Sequence, residues 1–143
     1  MSRKALFAAT IAVVSAFAAP ALANGVFIEQ YGSANEAGGV QSGFGNIIGS
    51  FQNGHFNSAV GNQFGNANTA AFGQEGWNNY GEIGQIGTGN GAGIGQFGSN
   101  HTSILVQDGN NNIAAGVQVG NGCEANVSQN GSGNVAAFVQ TCP

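Results

Sequence analysis

Glutamine returns every eleven residues through this chain, at Gln30, Gln41, Gln52, Gln63, Gln74, Gln85, Gln96, Gln107, Gln118, Gln129 and Gln140, with no slip in register. Glycine stands two places later at Gly32, Gly43, Gly54, Gly65, Gly76, Gly87, Gly98, Gly109, Gly120 and Gly131. Only the last unit departs, with Cys142 in that place. Asparagine stands five places after the glutamine at Asn35, Asn46, Asn57, Asn68, Asn79, Asn90, Asn112 and Asn134. The same register reaches back to Asn24, and His101 and Cys123 are its exceptions. Residues 63–74, QFGNANTAAFGQ, show the whole unit. A fixed period of this kind marks a repeat architecture, in which each unit buries its apolar face only against its neighbours.

A period of eleven also suits a right-handed helical supercoil. Glycine in every unit excludes that reading, because each one costs a helix about 1 kcal/mol. The Gln-x-Gly-x-x-Asn segment is expected to be a turn, with glycine taking the positive φ of the reversal and asparagine tolerating it nearby. The rest of the unit, from Asn through the next Gln, is expected to be a strand of about seven residues. Alternation then puts Asn, the second residue after it, the fourth, and the closing Gln on one face. The second residue is small almost throughout, and the fourth is more often large. The other face carries Glu36, Glu75, Glu82, Asp108 and Glu124, so the first face is assigned to the interior.

If the chain reverses at each turn, a strand's fourth residue meets the next strand's second. Ile83 then meets Ala92, Leu105 meets Ala114, and Val127 meets Ala136. Where the second position is large, at Ile48, its partner is Gly39; where the fourth is Phe72, its partner is Gly81. Such pairing suits a thin, close-packed interior. Each Gln is likewise expected to face the next unit's Asn. The fold class expected is all-β: a cross-β, amyloid-like β-solenoid of 22-residue, two-strand rungs, with about 11 strands in two stacked parallel sheets spaced about 4.8 Å along the stack. A three-sided coil is the competing geometry, and the small inward residues suit two flat layers better.

Buried amides are costly unless bonded. In a stack of like rungs each side-chain amide is expected to donate to the one above and accept from the one below, as Asn and Gln ladders do in cross-β assemblies. The ladder also holds register. Soluble β-proteins blunt exposed strand edges with Lys, Pro or a covering segment. From residue 24 onward there is no Lys or Arg, and the only Pro is Pro143. The open ends are therefore expected to be the functional surface, on which further molecules add as further rungs.

The only basic residues are Arg3 and Lys4, in a chain of formal net charge −4. Nothing remains to neutralise phosphates, which excludes nucleic acid as a partner. Charge is too low, and its 10 Phe too many, for an ordinary disordered segment. Residues 1–23 read as a secretory signal peptide. Arg3 and Lys4 form the charged region, Ala5 to Ala19 the apolar run, and Ala21-Leu22-Ala23 the small-x-small site, with cleavage between Ala23 and Asn24. The domain organisation expected is a signal peptide over 1–23 and a repeat domain over 24–143, secreted to the cell exterior.

No Ser/His/Asp set and no paired acids fall together on this lattice, so no catalytic residue, cofactor or metal is expected and the chain is not read as an enzyme. Cys123 and Cys142 are the only cysteines. They fall one rung apart on one edge, where an exported chain permits a disulfide. His101 with Cys123 supplies too few ligands for a metal and reads as a substitution in the Asn ladder.

The pattern Gln-x-Gly-x-x-Asn-x-Ala-x-x-x-Gln, as in QFGNANTAAFGQ and QNGSGNVAAFVQ, resembles the curlin repeat over residues 24–142. Curlins are secreted subunits of curli, the amyloid fibres of the bacterial surface and biofilm matrix. The resemblance implies self-association into a homopolymer, export through a dedicated outer-membrane channel, and growth from a nucleator subunit. The lack of basic residues in the repeats favours the major fibre subunit over the minor nucleator. A curlin usually carries a Gly-rich targeting segment before its repeats, and here the register already holds at Asn24. A monomeric surface-binding solenoid is the alternative of another class, and Thr69, Thr88, Thr102 and Thr141 form no outward array to support it.

Overall fold

A computed structural model describes residues 24–143, so the leader reading and Ala23 lie outside the described residues. These residues form eleven strands: β1 (Gly25–Ser33), β2 (Glu36–Ser42), β3 (Ile47–His55), β4 (Ser58–Asn66), β5 (Thr69–Trp77), β6 (Tyr80–Thr88), β7 (Gly91–Ser99), β8 (Thr102–Asn110), β9 (Ile113–Asn121), β10 (Glu124–Ser132) and β11 (Val135–Cys142). The odd-numbered strands make one parallel sheet in the order β1-β3-β5-β7-β9-β11, and the even-numbered strands make the other, β10-β8-β6-β4-β2. Register is one rung of 22 residues throughout: Gln52 pairs with Gln74 in one sheet, and Gln63 with Gln85 in the other. The expected two-layer β-solenoid is the observed fold.

The reversals are tighter than expected. Strands are mostly nine residues long and run through Gln and Gly, and nine of the ten connections between them are only two residues. The glycine two places after Gln does take positive φ, between 103° and 129°, yet, Gly43 apart, it keeps a ladder partner in an adjacent rung. The corner itself lies immediately before the Asn position. Ala34, Phe56, Ala67, Asn78, Asn100 and Asn111 have φ of 54–57° there, and Gly45, Gly89, Gly122 and Gly133 fill the remaining corners at 64–71°. The ladder Asn itself is not left-handed. Stacking holds the corners in place: Ala67 N–H donates to Phe44 O at 2.8 Å, and Asn78 N–H to His55 O at 2.9 Å.

Gly76 shows why the glycine column tolerates nothing larger. A Cβ there would overlap the carbonyl oxygen of Gly98 in the next rung. The constraint is thus the neighbouring rung as well as φ.

The core is a single file of Ile48, Ala59, Ala70, Phe72, Ile83, Ala92, Ile94, Leu105 and Ala114. Phe72 packs on Gly81, whose Cβ position lies 3.1 Å from the ring. Ile48 packs on Gly61, one rung beyond the expected Gly39, which stacks directly on Gly61. Phe138 finds space within its own sheet, over the bare α-carbon of Gly116.

Three substitutions separate these effects. Gly76→Ala is expected to destabilise by at least about 2 kcal/mol, from strained φ plus overlap. Gly73→Ala, which points into open space, should leave stability within about 0.5 kcal/mol. Ala67→Gly should stabilise by roughly 1 kcal/mol, because alanine carries a left-handed penalty of that order. Denaturant unfolding midpoints of the unassembled chain read all three.

Candidate functional site: the amide ladders and the open ends

The eleven glutamines stand in two columns. Each Nε2 donates to the Oε1 of the glutamine one rung later, at 2.6–3.0 Å, in all nine steps. The second Nε2 hydrogen goes across the interior to a backbone carbonyl of the opposite sheet. Gln52 donates to Glu36 O, Gln85 to Thr69 O and Gln118 to Thr102 O, and every column member from Gln41 to Gln140 does the same at 2.8–3.2 Å. A carbonyl only accepts, so the atom facing it must be nitrogen. All nine ladder bonds therefore run in one direction. Gln52 through Gln118 are essentially inaccessible to solvent.

Facing the next unit's Asn does not make the Gln amide bond that Asn's side chain. The Gln amide instead clips the strand behind it, at the residue following that strand's Asn. Gln74 alone adds a contact with Asn79, through the backbone oxygen at 3.2 Å.

The asparagine columns also differ from an amide-to-amide ladder. Asn Oδ1 accepts the backbone N–H of the residue one rung later: Asn24 from Asn46, Asn68 from Asn90, Asn90 from Asn112, at 3.0 Å each. Asn Nδ2 donates to the carbonyl of the column glycine of the next rung, as Asn46 does to Gly65 O and Asn112 to Gly131 O, both at 2.8 Å. Within these columns, among the described residues, direct amide pairs occur only between Asn57 and Asn35, Asn79 and Asn57, and Asn134 and Asn112. The reason is geometric. At a corner the backbone N–H and C=O lose their own ladder partners, and the short Asn side chain reaches them before it reaches another amide.

His101 performs the same service with a ring. Its Nδ1 accepts Cys123 N–H at 3.1 Å, and its Nε2 lies 3.2 Å from Phe97 O. The first contact requires an unprotonated Nδ1 and the second a proton on Nε2, which identifies the neutral Nε2–H tautomer. Cys123, next in that column, is joined to Cys142 by a disulfide with a Cα–Cα separation of 5.6 Å. The bridge ties the end of β11 to the corner between β9 and β10. Among the described residues, no group of three or more His, Cys, Asp or Glu side chains is placed to hold a metal ion.

The two ends of the stack are chemically opposite. At the β1/β2 end, no described residue donates to Oε1 of Gln30 or Gln41. At the β10/β11 end, Gln129 and Gln140 each donate once, to Ile113 O and Glu124 O, and keep one Nε2 hydrogen free among the described residues. One end offers two ladder acceptors and the other two ladder donors. Sequence reasoning found the columns but not this direction, which the carbonyl contacts alone reveal.

Residues 76–109 match the family model of the curlin associated repeat. That segment runs from the end of β5 through β6 and β7 to the end of β8, and the same register continues on either side of it. No curated protein matches the chain at a significant level. The matched repeat and the solenoid point to a structural protein.

Gln85→Leu would strand the Gln63 amide, the Gln107 oxygen and the Thr69 carbonyl together. At about 1–3 kcal/mol for each buried unsatisfied group, it should cost about 3 kcal/mol or more. Outward Glu82→Gln should cost under about 0.5 kcal/mol by the same unfolding assay. The latter change has its own signature. Tyr80 Oη donates to Glu82 Oε2 at 2.8 Å, and this bond, burial and the carboxylate charge all hold the phenol above its usual titration range. The bond's stabilisation is complete below the unfolded phenol pKa and is lost as pH rises through the higher folded one. Glu82→Gln should therefore bring phenolate absorbance in at lower pH.

Proposed function

We propose that this chain, which carries the curlin associated repeat, is a secreted structural subunit that polymerises outside the cell into curli-type amyloid fibres. The observation that carries the reading is the complementarity of the two ends. Two open glutamine oxygens stand at one end, and two open amide hydrogens stand at the other at the same lattice positions. A second copy stacked in register extends both ladders and pairs both strand edges. Adhesion and biofilm matrix are the roles such a fibre serves. A nucleator subunit and an outer-membrane channel are the partners the repeat family implies, and residues 1–23 are the leader for export. The ladder Gln and Asn residues are the assembly residues in this reading, the column glycines let rungs approach, and the Cys123–Cys142 bridge secures the last strand.

Purified protein should convert from monomer to fibres with rising thioflavin fluorescence and a meridional reflection near about 4.8 Å. A lasting monomer without that reflection would sink the reading. Gln30→Leu and Gln140→Leu remove one end member each and should slow elongation by about tenfold, as loss of roughly one charge-free buried hydrogen bond at the joint implies. Glu82→Gln should elongate at the parent rate.

A further inference from the structure

We infer that successive molecules in the fibre are related by a half-turn about the fibre axis, so that β1 of an incoming copy seats on β10 and its β2 on β11. The inference rests on the fibre reading above and on the parity of the strands. The eleven strands of the described residues put six in one sheet and five in the other, with β11 half a rung beyond β10. The next vacant place along the coil is therefore over β10, in the five-stranded sheet. An incoming β1 is the first strand of its own coil and fills that place. Its β2 then covers β11. Since β1 belongs to the six-stranded sheet of its own molecule, the incoming copy must be turned by half a revolution.

The ladder chemistry selects this joint over a simple translation. With the half-turn, Gln129 Nε2 donates to the incoming Gln30 Oε1, and Gln140 Nε2 to the incoming Gln41 Oε1. All four open ladder groups are satisfied, and Asn134 Oδ1 meets the incoming Asn35 N–H. With translation, the incoming β1 covers β11, and the incoming β2 stands two rung heights above β10. A strand-sized void separates them. Gln129 and the incoming Gln41 both face that void unpaired, along with a strand edge on each side. Buried unpaired amides and backbone groups of that number are not tolerated.

Packing agrees. In the half-turn joint, the incoming Gly39 falls in the column of Phe138, which leaves the ring between two glycines, Gly116 and Gly39. Translation would put Ile28 on that ring. Val26 of the incoming copy comes opposite Phe138, a bulkier neighbour than the Gly81 that faces Phe72. The ring's seat over Gly116 supplies the room.

The test is intermolecular cross-linking between singly substituted proteins mixed in equal amounts and assembled. Phe27, Asn126 and Ala137 all point outward and are exposed. In the half-turn joint, Phe27 of one copy lies one strand spacing, about 5 Å, from Asn126 of the next. In the translated joint its neighbour is Ala137, and Asn126 lies on the opposite face, more than about 10 Å away across the sheets. A short bis-maleimide should give covalent dimers from fibres of Phe27→Cys mixed with Asn126→Cys, at least about tenfold more than from Phe27→Cys mixed with Ala137→Cys. Equal yields, or dimers mainly from the second mixture, overturn the half-turn while leaving the fibre intact. Failure of either mixture to form fibres, when the parent protein also forms none, overturns the fibre reading and this inference with it. The axial repeat of parent fibres gives a second readout: two copies should span about 53 Å with the half-turn, whereas translated copies repeat at about 29 Å.

Discussion

A buried glutamine amide has one oxygen and two hydrogens to satisfy, and in the columns between the two end rungs every one of the three has an assigned place. The oxygen is met from the rung before, one hydrogen meets the rung after, and the other crosses to the opposite sheet. The first two bonds set the vertical register at 22 residues. The third sets the distance and phase between the sheets. One side chain thus specifies both dimensions of the stack. An apolar interior of this composition could not do so, because Ala59, Ala70, Ala92 and Ala114 have little shape to recognise. Hydrophobic burial drives collapse here, and the amide network decides which collapsed state is reached.

The corners depend on that network. Nine of the ten reversals are two residues long because the Asn side chain takes over the backbone bonds that a sharp corner strands. Its oxygen receives one N–H and its nitrogen reaches one C=O, both in an adjacent rung. With the bonds supplied from outside, the residue before Asn can be driven left-handed whatever its identity. That is why Phe56 and Ala67 occupy a conformation that normally calls for glycine or asparagine. The glycine column answers to a different neighbour, the carbonyl of the next rung. Ser50 and Ser103, whose buried hydroxyls find no partner among the described residues, mark the places where the interior deviates from this economy.

The periodicity of Gln30 to Gln140 was enough to read two layers, the rung length and the inward face, since these follow from spacing alone. What escaped was whatever depends on contact between rungs. Nothing in Ala34, Phe56 or Asn78 signals a shared corner, because their φ is imposed by stacking and not by local preference. An amide at a fixed position does not disclose whether it bonds an amide or a backbone group, so in sequence the Asn columns look like copies of the Gln columns. Sequence order pairs Ile48 with Gly39, whereas the side chain seats on Gly61 of the following strand. Cys123 in an Asn position and Cys142 in a Gly position were visible as departures, and the corner geometry is what brings them to 5.6 Å.

Parity would also bear on the flanks of the proposed fibre. The outward face of the six-stranded sheet carries Glu29 and Glu75, and that of the five-stranded sheet carries Glu36, Glu82, Asp108 and Glu124. Translated copies would line one flank of the fibre with four carboxylates per molecule and leave the other with two. Copies alternating by half-turns present both faces on both flanks, so like charges are spread evenly along the length. The residual repulsion on each flank would then oppose side-to-side association equally, while growth at the ends, where no carboxylate enters the ladders, would proceed unopposed. An added or deleted eleven-residue unit would make the strand number even, restore simple translation, and segregate the charge. In the proposed fibre, the count of repeats is itself a determinant of symmetry.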